Sequence, residues 1–180
     1  MAKEFTFKYI GNEITDEIRE GLWNLVCICD NDFVPPLSAR ESTYQQSFTP
    51  IEGNVKPVNY FKELCKQDFV LAYDGDLMVG FLTFRQHYVC EHLAPIEESL
   101  YMTTMCILPE KRGNGLSSAL YSYVEHTEAP RLGYKYVTTR SWSTNGAQMH
   151  SLPKRGYKLV KTLKDDRGPG VDTVYFALEV

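Results

Sequence analysis

Between Thr103 and Tyr123 the chain reads TTMCILPEKRGNGLSSALYSY, and no other stretch limits the possible folds as strongly. An apolar run, Met105-Cys106-Ile107-Leu108, stops at Pro109. A charged turn with two glycines follows, Glu110-Lys111-Arg112-Gly113-Asn114-Gly115. Leu116, Leu120 and Tyr123 then recur at helical spacing, with Ala119 and Val124 beside them. The pattern predicts a strand, a tight basic loop and a helix start. Such a joint gathers unpaired backbone N–H groups and the positive end of a helix dipole, a seat for an anion such as a pyrophosphate. Glycine at 113 and 115 keeps a Cβ from holding that anion off the backbone. An ordinary loop before a core helix would carry the same letters over the loop alone. A dinucleotide-binding turn is the weaker reading, because the chain has no G-x-G-x-x-G.

The spacing goes further than glycine content. Arg112-x-x-Gly115-x-Ser117, behind a hydrophobic-Pro-Glu-x lead-in, resembles the acyl-CoA loop of the GNAT (GCN5-related) N-acetyltransferases, Arg/Gln-x-x-Gly-x-Gly/Ala. Ser117 departs from the usual Gly or Ala but still suits the first turn of a helix. Asn145, followed eleven and twelve residues later by Gly156-Tyr157, is similar to the Asn…Gly-Phe/Tyr that closes the family's core. Together the two motifs span Leu100 to about Leu159, and ahead of them the likeness is in element order only.

The resemblance implies acetyl-CoA as acetyl donor and cofactor. Its pyrophosphate would sit on Arg112, Gly113, Asn114, Gly115, Leu116 and Ser117, the Arg112 side chain adding charge. Arg112 could instead form a surface ion pair. The strand edge at Met105, Cys106 and Ile107 would face the pantetheine, and Asn145 would hydrogen-bond the cofactor, cap its own helix, or do both. The reaction implied is direct attack of a neutral amine on the thioester, with a backbone N–H near Met105 for the oxyanion. By count, Tyr101 occupies the place of the family's best-known catalytic glutamate, and Glu98, just upstream with Glu97, could take a proton through a water. Either glutamate could equally be a solvated strand end. Many members carry a tyrosine seven residues after the Asn as proton donor to the thiol; here that position is Leu152. The acceptor expected is a primary amine on a small molecule or peptide. A catalytically silent acyl-CoA-binding module acting through a protein partner is the alternative, and a homodimer is left open.

Composition sets the remaining bounds. At 180 residues the chain is expected to form one domain with a sizeable core. The opening MAKEFTFKYI lacks a signal peptide's apolar segment, and no apolar run reaches membrane-spanning length, so a cytoplasmic protein is expected. Five cysteines fall mostly in apolar patterns and read as reduced packing thiols; Cys27-x-Cys29 lacks metal spacing, so no metal site is expected. Residues 1–100 carry 8 Lys and Arg against 16 Asp and Glu, and residues 101–180 carry 11 against 7. That asymmetry fits an anionic cofactor with a cationic acceptor, or simply two solvated surfaces. The acidic balance and the absence of a basic run interleaved with aromatics disfavour nucleic acid.

Along the chain, Phe5–Ile10 alternates like a strand, and Thr15 caps a helix striped by Ile18, Leu22, Leu25, Val26 and Cys29. Residues 34–53 read as a loop or an interrupted helix, and Val58, Phe61, Leu64 and Cys65 mark a second helix. Phe69–Tyr73 and Leu77–Phe84, the latter running on towards Tyr88, flank Asp74-Gly75-Asp76, a hairpin signal. Leu100–Leu108, the helix from Asn114 to near Pro130, and Tyr136–Trp142 make a parallel crossover. A short helix from Asn145, which Pro153 should kink or confine to one turn, leads to strands Tyr157–Leu163 and Val171–Val180 in a closing hairpin. The order β-α-α-β-β-β-α-β-α-β-β predicts an α/β fold, a central mixed sheet flanked by helices on both faces. It is also the order of the GNAT-like acyl-CoA N-acyltransferase fold.

Overall fold

The computed structural model describes residues 5–33, 35–40 and 56–180. These divide into two compact units: one takes the described residues up to 40 with 56–84 and 104–124, the other 85–103 and 125–180. Seven strands form one mixed sheet, in the order β1-β2-β3-β4-β5-β7-β6.

In the first unit, β1 (Thr6–Gly11) pairs antiparallel with β2 (Asp68–Asp74), and β2 with β3 (Leu77–Tyr88). The β2–β3 turn uses Gly75 at φ +61°, the positive value an Asp-Gly hairpin requires. Helix α1 (Asp16–Ile28) begins where the Thr15 hydroxyl accepts the Ile18 N–H, with Asp16 and Glu17 in its first turn. Its apolar stripe, Leu22, Leu25 and Val26, packs with Tyr60, Phe61 and Leu64 of α2 (Val58–Leu64) and with Phe69, Leu71 and Phe81 of the strands. Of the 34–53 segment, Leu37–Ala39 form a single helical turn; most of the rest lies outside the described residues.

Strand β4 (Ser99–Ile107) is followed by α3 (Leu116–Tyr123). The helix then widens into a π-helical turn at Val124–Glu128 and ends in α4 (Ala129–Arg131). Pro130 therefore sits inside the final turn, among its first positions, where a missing N–H disrupts least. In the second unit β4 runs parallel to β5 (Tyr136–Trp142) over three residue pairs, Leu100–Val137 to Met102–Thr139. Helix α5 (Gly146–Lys154) is nine residues long and holds Pro153 in its last turn, so the proline does not confine it to one turn. Leu152, fully buried, anchors it, and the Arg155 N–H closes its end on Ser151 and Leu152 carbonyls.

Strands β6 (Lys158–Leu163) and β7 (Thr173–Glu179) are antiparallel neighbours, but β7, not β6, lies against β5. Burial explains the choice. β7 is buried over its first five residues and β6 has no buried residue, as suits an interior and an edge strand. All five cysteines are free thiols. Among the described residues no helix is long and apolar enough to cross a membrane.

Candidate active site

The loop between β4 and α3 turns on two glycines in the left-handed region, Gly113 at φ +74° and Gly115 at φ +77°, the second serving as the N-cap of α3. A Cβ at either would meet nothing within 4 Å, so backbone shape and access, not packing, account for glycine here. Among the described residues the N–H groups of residues 113–117 have no protein acceptor, and Gly113, Asn114, Gly115 and Ser117 are exposed. Leu116 is buried and fixes the helix to the core. The result is a run of outward donors at a helix N-terminus, the arrangement that suits a pyrophosphate.

The Arg112 side chain forms the ion pair that the sequence left open beside the phosphate role. Its Nη1 and Nη2 donate to the Asp32 carboxylate at 3.2 and 2.5 Å, and Nε and Nη2 donate to the Ile107 carbonyl at 3.0 and 2.9 Å. The hydrogen bonds that it donates to Asp32 raise the Arg112 pKa above the ordinary arginine value. Arg112 therefore braces the loop against strand β4 and the end of α1, and its guanidinium is engaged within the protein. Lys111 likewise pairs with Asp74 at 2.7 Å. Carboxylates of the acidic half thus neutralise the basic loop, which accounts for part of the charge asymmetry without an acceptor.

Two residues of the strand edge have backbone carbonyls close to other groups of the protein. A Cβ on Gly80 would stand 2.8 Å from the Cys106 carbonyl, so Cys106 turns its backbone towards β3. The Ile107 carbonyl accepts from Arg112 and from the Cys29 thiol. The alternation of a strand then leaves Met105 to offer its backbone groups to the opposite edge.

In the second unit, Asn145 caps α5: its Oδ1 accepts the Gln148 N–H at 3.3 Å, and its Nδ2 donates to the Ser141 hydroxyl at 3.2 Å. The capping alternative is realised, and one N–H of the amide remains for another acceptor. Tyr101 is buried and its ring stacks on Tyr88, centroids 4.0 Å apart. Burial is the main force that pushes its phenol up to about 12, so at neutral pH it holds its proton and can donate but not act as a base. Glu98 is half-exposed, and one carboxylate oxygen is hydrogen-bonded to Nδ1 of His87. His87 has φ +51°, rare for a residue with a Cβ, and its N–H donates to the Tyr134 hydroxyl at 2.8 Å. Nothing in the sequence around His87 announces this pairing, because it depends on a left-handed residue within β3 that no local motif encodes.

The model of the "Acetyltransferase (GNAT) family" matches residues 38–157, more than half of the chain. The chain belongs to the GNAT acetyltransferase family. Acetyl-CoA is that family's donor. Solved structures agree on the fold at low identity. A GNAT-family protein of Desulfovibrio desulfuricans is 17% identical with TM-score 0.67, over 97% of this chain and 99% of that one. The ribosomal-protein-alanine N-acetyltransferase of Brucella melitensis is 14% identical with TM-score 0.66, over 97% and 99%. The yncA protein of Salmonella typhimurium, solved with its cofactor acetyl-CoA, is 13% identical with TM-score 0.64, over 97% and 93%. No curated protein matches the sequence. The mixed seven-stranded sheet of this GNAT protein is the one those structures share.

A further group escaped sequence reasoning. The charges of Arg85, Arg140 and Arg167 act on Tyr101, whose ring stacks on Tyr88, and Arg140 stands opposite Tyr175 between β5 and β7. The signal was available: an arginine inside Tyr136–Trp142, a strand otherwise of apolar and hydroxyl residues.

Proposed function

We propose that the chain is an N-acetyltransferase that moves an acetyl group from acetyl-CoA to a primary amine of a small molecule or peptide by direct attack on the thioester. Both units are read as one catalytic domain, since the family match runs through segments of each, and the cytoplasm is kept as its compartment. The observation that carries the reading is the run of partnerless N–H groups at residues 113–117 around two left-handed glycines. Those groups would hold the pyrophosphate, the Met105 backbone the pantetheine amide, and the remaining Asn145 N–H a cofactor oxygen. Bound acetyl-CoA supplies an activated acetyl carbonyl.

The protein's own task is the proton. An amine is an ammonium at neutral pH and must lose a proton before it attacks. Glu98, oriented by His87, is the proton acceptor in this reading, acting through a water; the buried, protonated Tyr101 lines the site as a donor. Leu152, fully buried, leaves the family's usual acid position apolar. His150 is exposed on α5, and the Tyr157 hydroxyl donates to the buried Glu125 at 3.0 Å. A thiol pKa near the ~8.5 of cysteine lets CoA leave with the amine's own proton. His150→Ala and Tyr157→Phe should therefore each change kcat less than about tenfold, short of the ~10²–10⁴ of an essential acid. Steady-state kinetics on folded variants checks this, and a larger loss in either would identify an acid.

Release of free CoA thiol across a panel of amines, polyamines, amino acids, aminoglycosides and peptides tests the activity. Turnover with at least one acceptor is expected. Saturable acetyl-CoA binding with no turnover throughout would replace the enzyme by a silent acyl-CoA-binding module.

A further inference from the structure

Tyr101 lies within the electrostatic reach of three arginines, Arg85, Arg140 and Arg167, and of the Tyr175 phenol. Tyr101 on β4 faces Thr138 across the parallel pairing, and Arg140, two residues further along β5, shares that face. Arg140 stands opposite Tyr175 on β7 and donates a hydrogen bond to its hydroxyl. Arg85 lies close enough for the two like charges to interact; burial first, and Arg140 with it, lowers the Arg85 pKa. Arg167 is buried, its Nε donating to the Thr173 hydroxyl at 2.8 Å and its guanidinium 5.7 Å from the Trp142 ring.

Among the described residues no carboxylate forms an ion pair with Arg140; its partners are the phenols. A guanidinium cannot shed its proton to relieve burial, and neutral phenols answer its hydrogen bonds but not its charge. A second cation within electrostatic reach raises the cost, which a bound anion offsets. The planar fork of an arginine matches a carboxylate in two parallel hydrogen bonds.

We propose that the acceptor is an amine that also carries a free carboxylate, an amino acid in the broad sense, and that Arg140 binds this carboxylate, with Arg85 and Arg167 supplying further positive field. The proposal rests on the N-acetyltransferase reading and narrows its acceptor. It also reverses the simplest reading of the charge asymmetry, in which the acceptor is purely cationic. The amine of the acceptor remains the nucleophile, and the carboxylate takes no part in bond making.

Chemistry on the ligand tests this without depending on a mutant's folding. α-Amino acids, β-alanine and γ-aminobutyrate are compared with their primary amides, each keeping the amine and losing the carboxylate. For at least one pair the acid should exceed its amide by about thirtyfold or more in kcat/KM, the size of a lost charge-assisted pair. The amide's amine is the less basic, so more of it is neutral, and a preference for the acid cannot come from amine availability. In Arg140→Gln the ratio should fall below about threefold, with Arg140→Lys between, while acetyl-CoA affinity by calorimetry stays unchanged. Thermal unfolding of the free protein with the same acids and amides reads binding without turnover, since a ligand of the native state raises Tm. Stabilisation by acids alone, lost in Arg140→Gln, upholds the carboxylate site even if no acceptor releases CoA, in which case only the enzyme reading fails. Amides that turn over and stabilise as well as the acids would overturn the site and leave the acetyltransferase standing. Absence of any acid-specific turnover or stabilisation across the panel likewise overturns it.

Discussion

Gly115→Val is expected to weaken acetyl-CoA binding by about two orders of magnitude while the protein stays folded. Gly115 holds φ +77° at the N-cap of α3, and a left-handed conformation costs an ordinary L-residue about 1–2 kcal/mol. A β-branched residue there is a genuine outlier. Apart from its chain neighbours, no atom lies within 4 Å of a Cβ at this position, so the strain of the substitution falls chiefly on the backbone. The chain relieves it by rotating the peptide groups on either side, which turns the N–H donors of residues 113–117 away from a common point. Loss of two charge-assisted hydrogen bonds, roughly 3 kcal/mol, is about a hundredfold in affinity. Gly115→Ala should shift affinity the same way but less. Calorimetric titration of the folded variants decides it, and an unchanged affinity in Gly115→Val would remove the cofactor assignment from this loop.

The second large effect concerns stability. Arg155→Met is expected to destabilise the protein by about 3–5 kcal/mol in urea unfolding, the cost of stranding a buried charge. The Glu125 side chain is 2% exposed and that of Arg155 15%. Arg155 Nε donates to one carboxylate oxygen at 3.0 Å, Nη2 donates to the other, and the Tyr157 hydroxyl donates to the first. With Arg155 gone, Glu125 keeps the Tyr157 hydroxyl and the more distant His126 ring nitrogen, 3.9 Å away, as neighbours. The double variant Glu125→Leu, Arg155→Met should recover most of the loss, because burying neither charge is close to neutral. A loss below about 1 kcal/mol in Arg155→Met would mean that water reaches Glu125 and that the pair is an ordinary surface one.

These two sites differ in how far they can be read from the letters. The loop is a local object: its glycines, its basic residues and the helix that follows are consecutive, so backbone conformation at 113 and 115 follows from residue type. The Glu125–Arg155 pair joins residues thirty positions apart, and neither carries a local mark of burial.

The same division holds across the chain. Period-2 and period-3.6 patterns, the Asp-Gly turn and the Thr15 cap decided the order and type of the elements, and two spaced motifs pointed to the family. All of these act within a few residues, which is the range over which side chains bias their own backbone. Tertiary structure alone decided that β7 and not β6 lies against β5, because hairpin signals fix pairing but not which strand faces inward. It decided that Arg112 braces Asp32, 80 positions away, and that the Cys106 carbonyl turns towards Gly80. It also brought Arg85, Arg140 and Arg167 within electrostatic reach of Tyr101. Charges so far apart in sequence meet only when strands are laid side by side, and their energies depend on burial and distance, which the order of residues does not state.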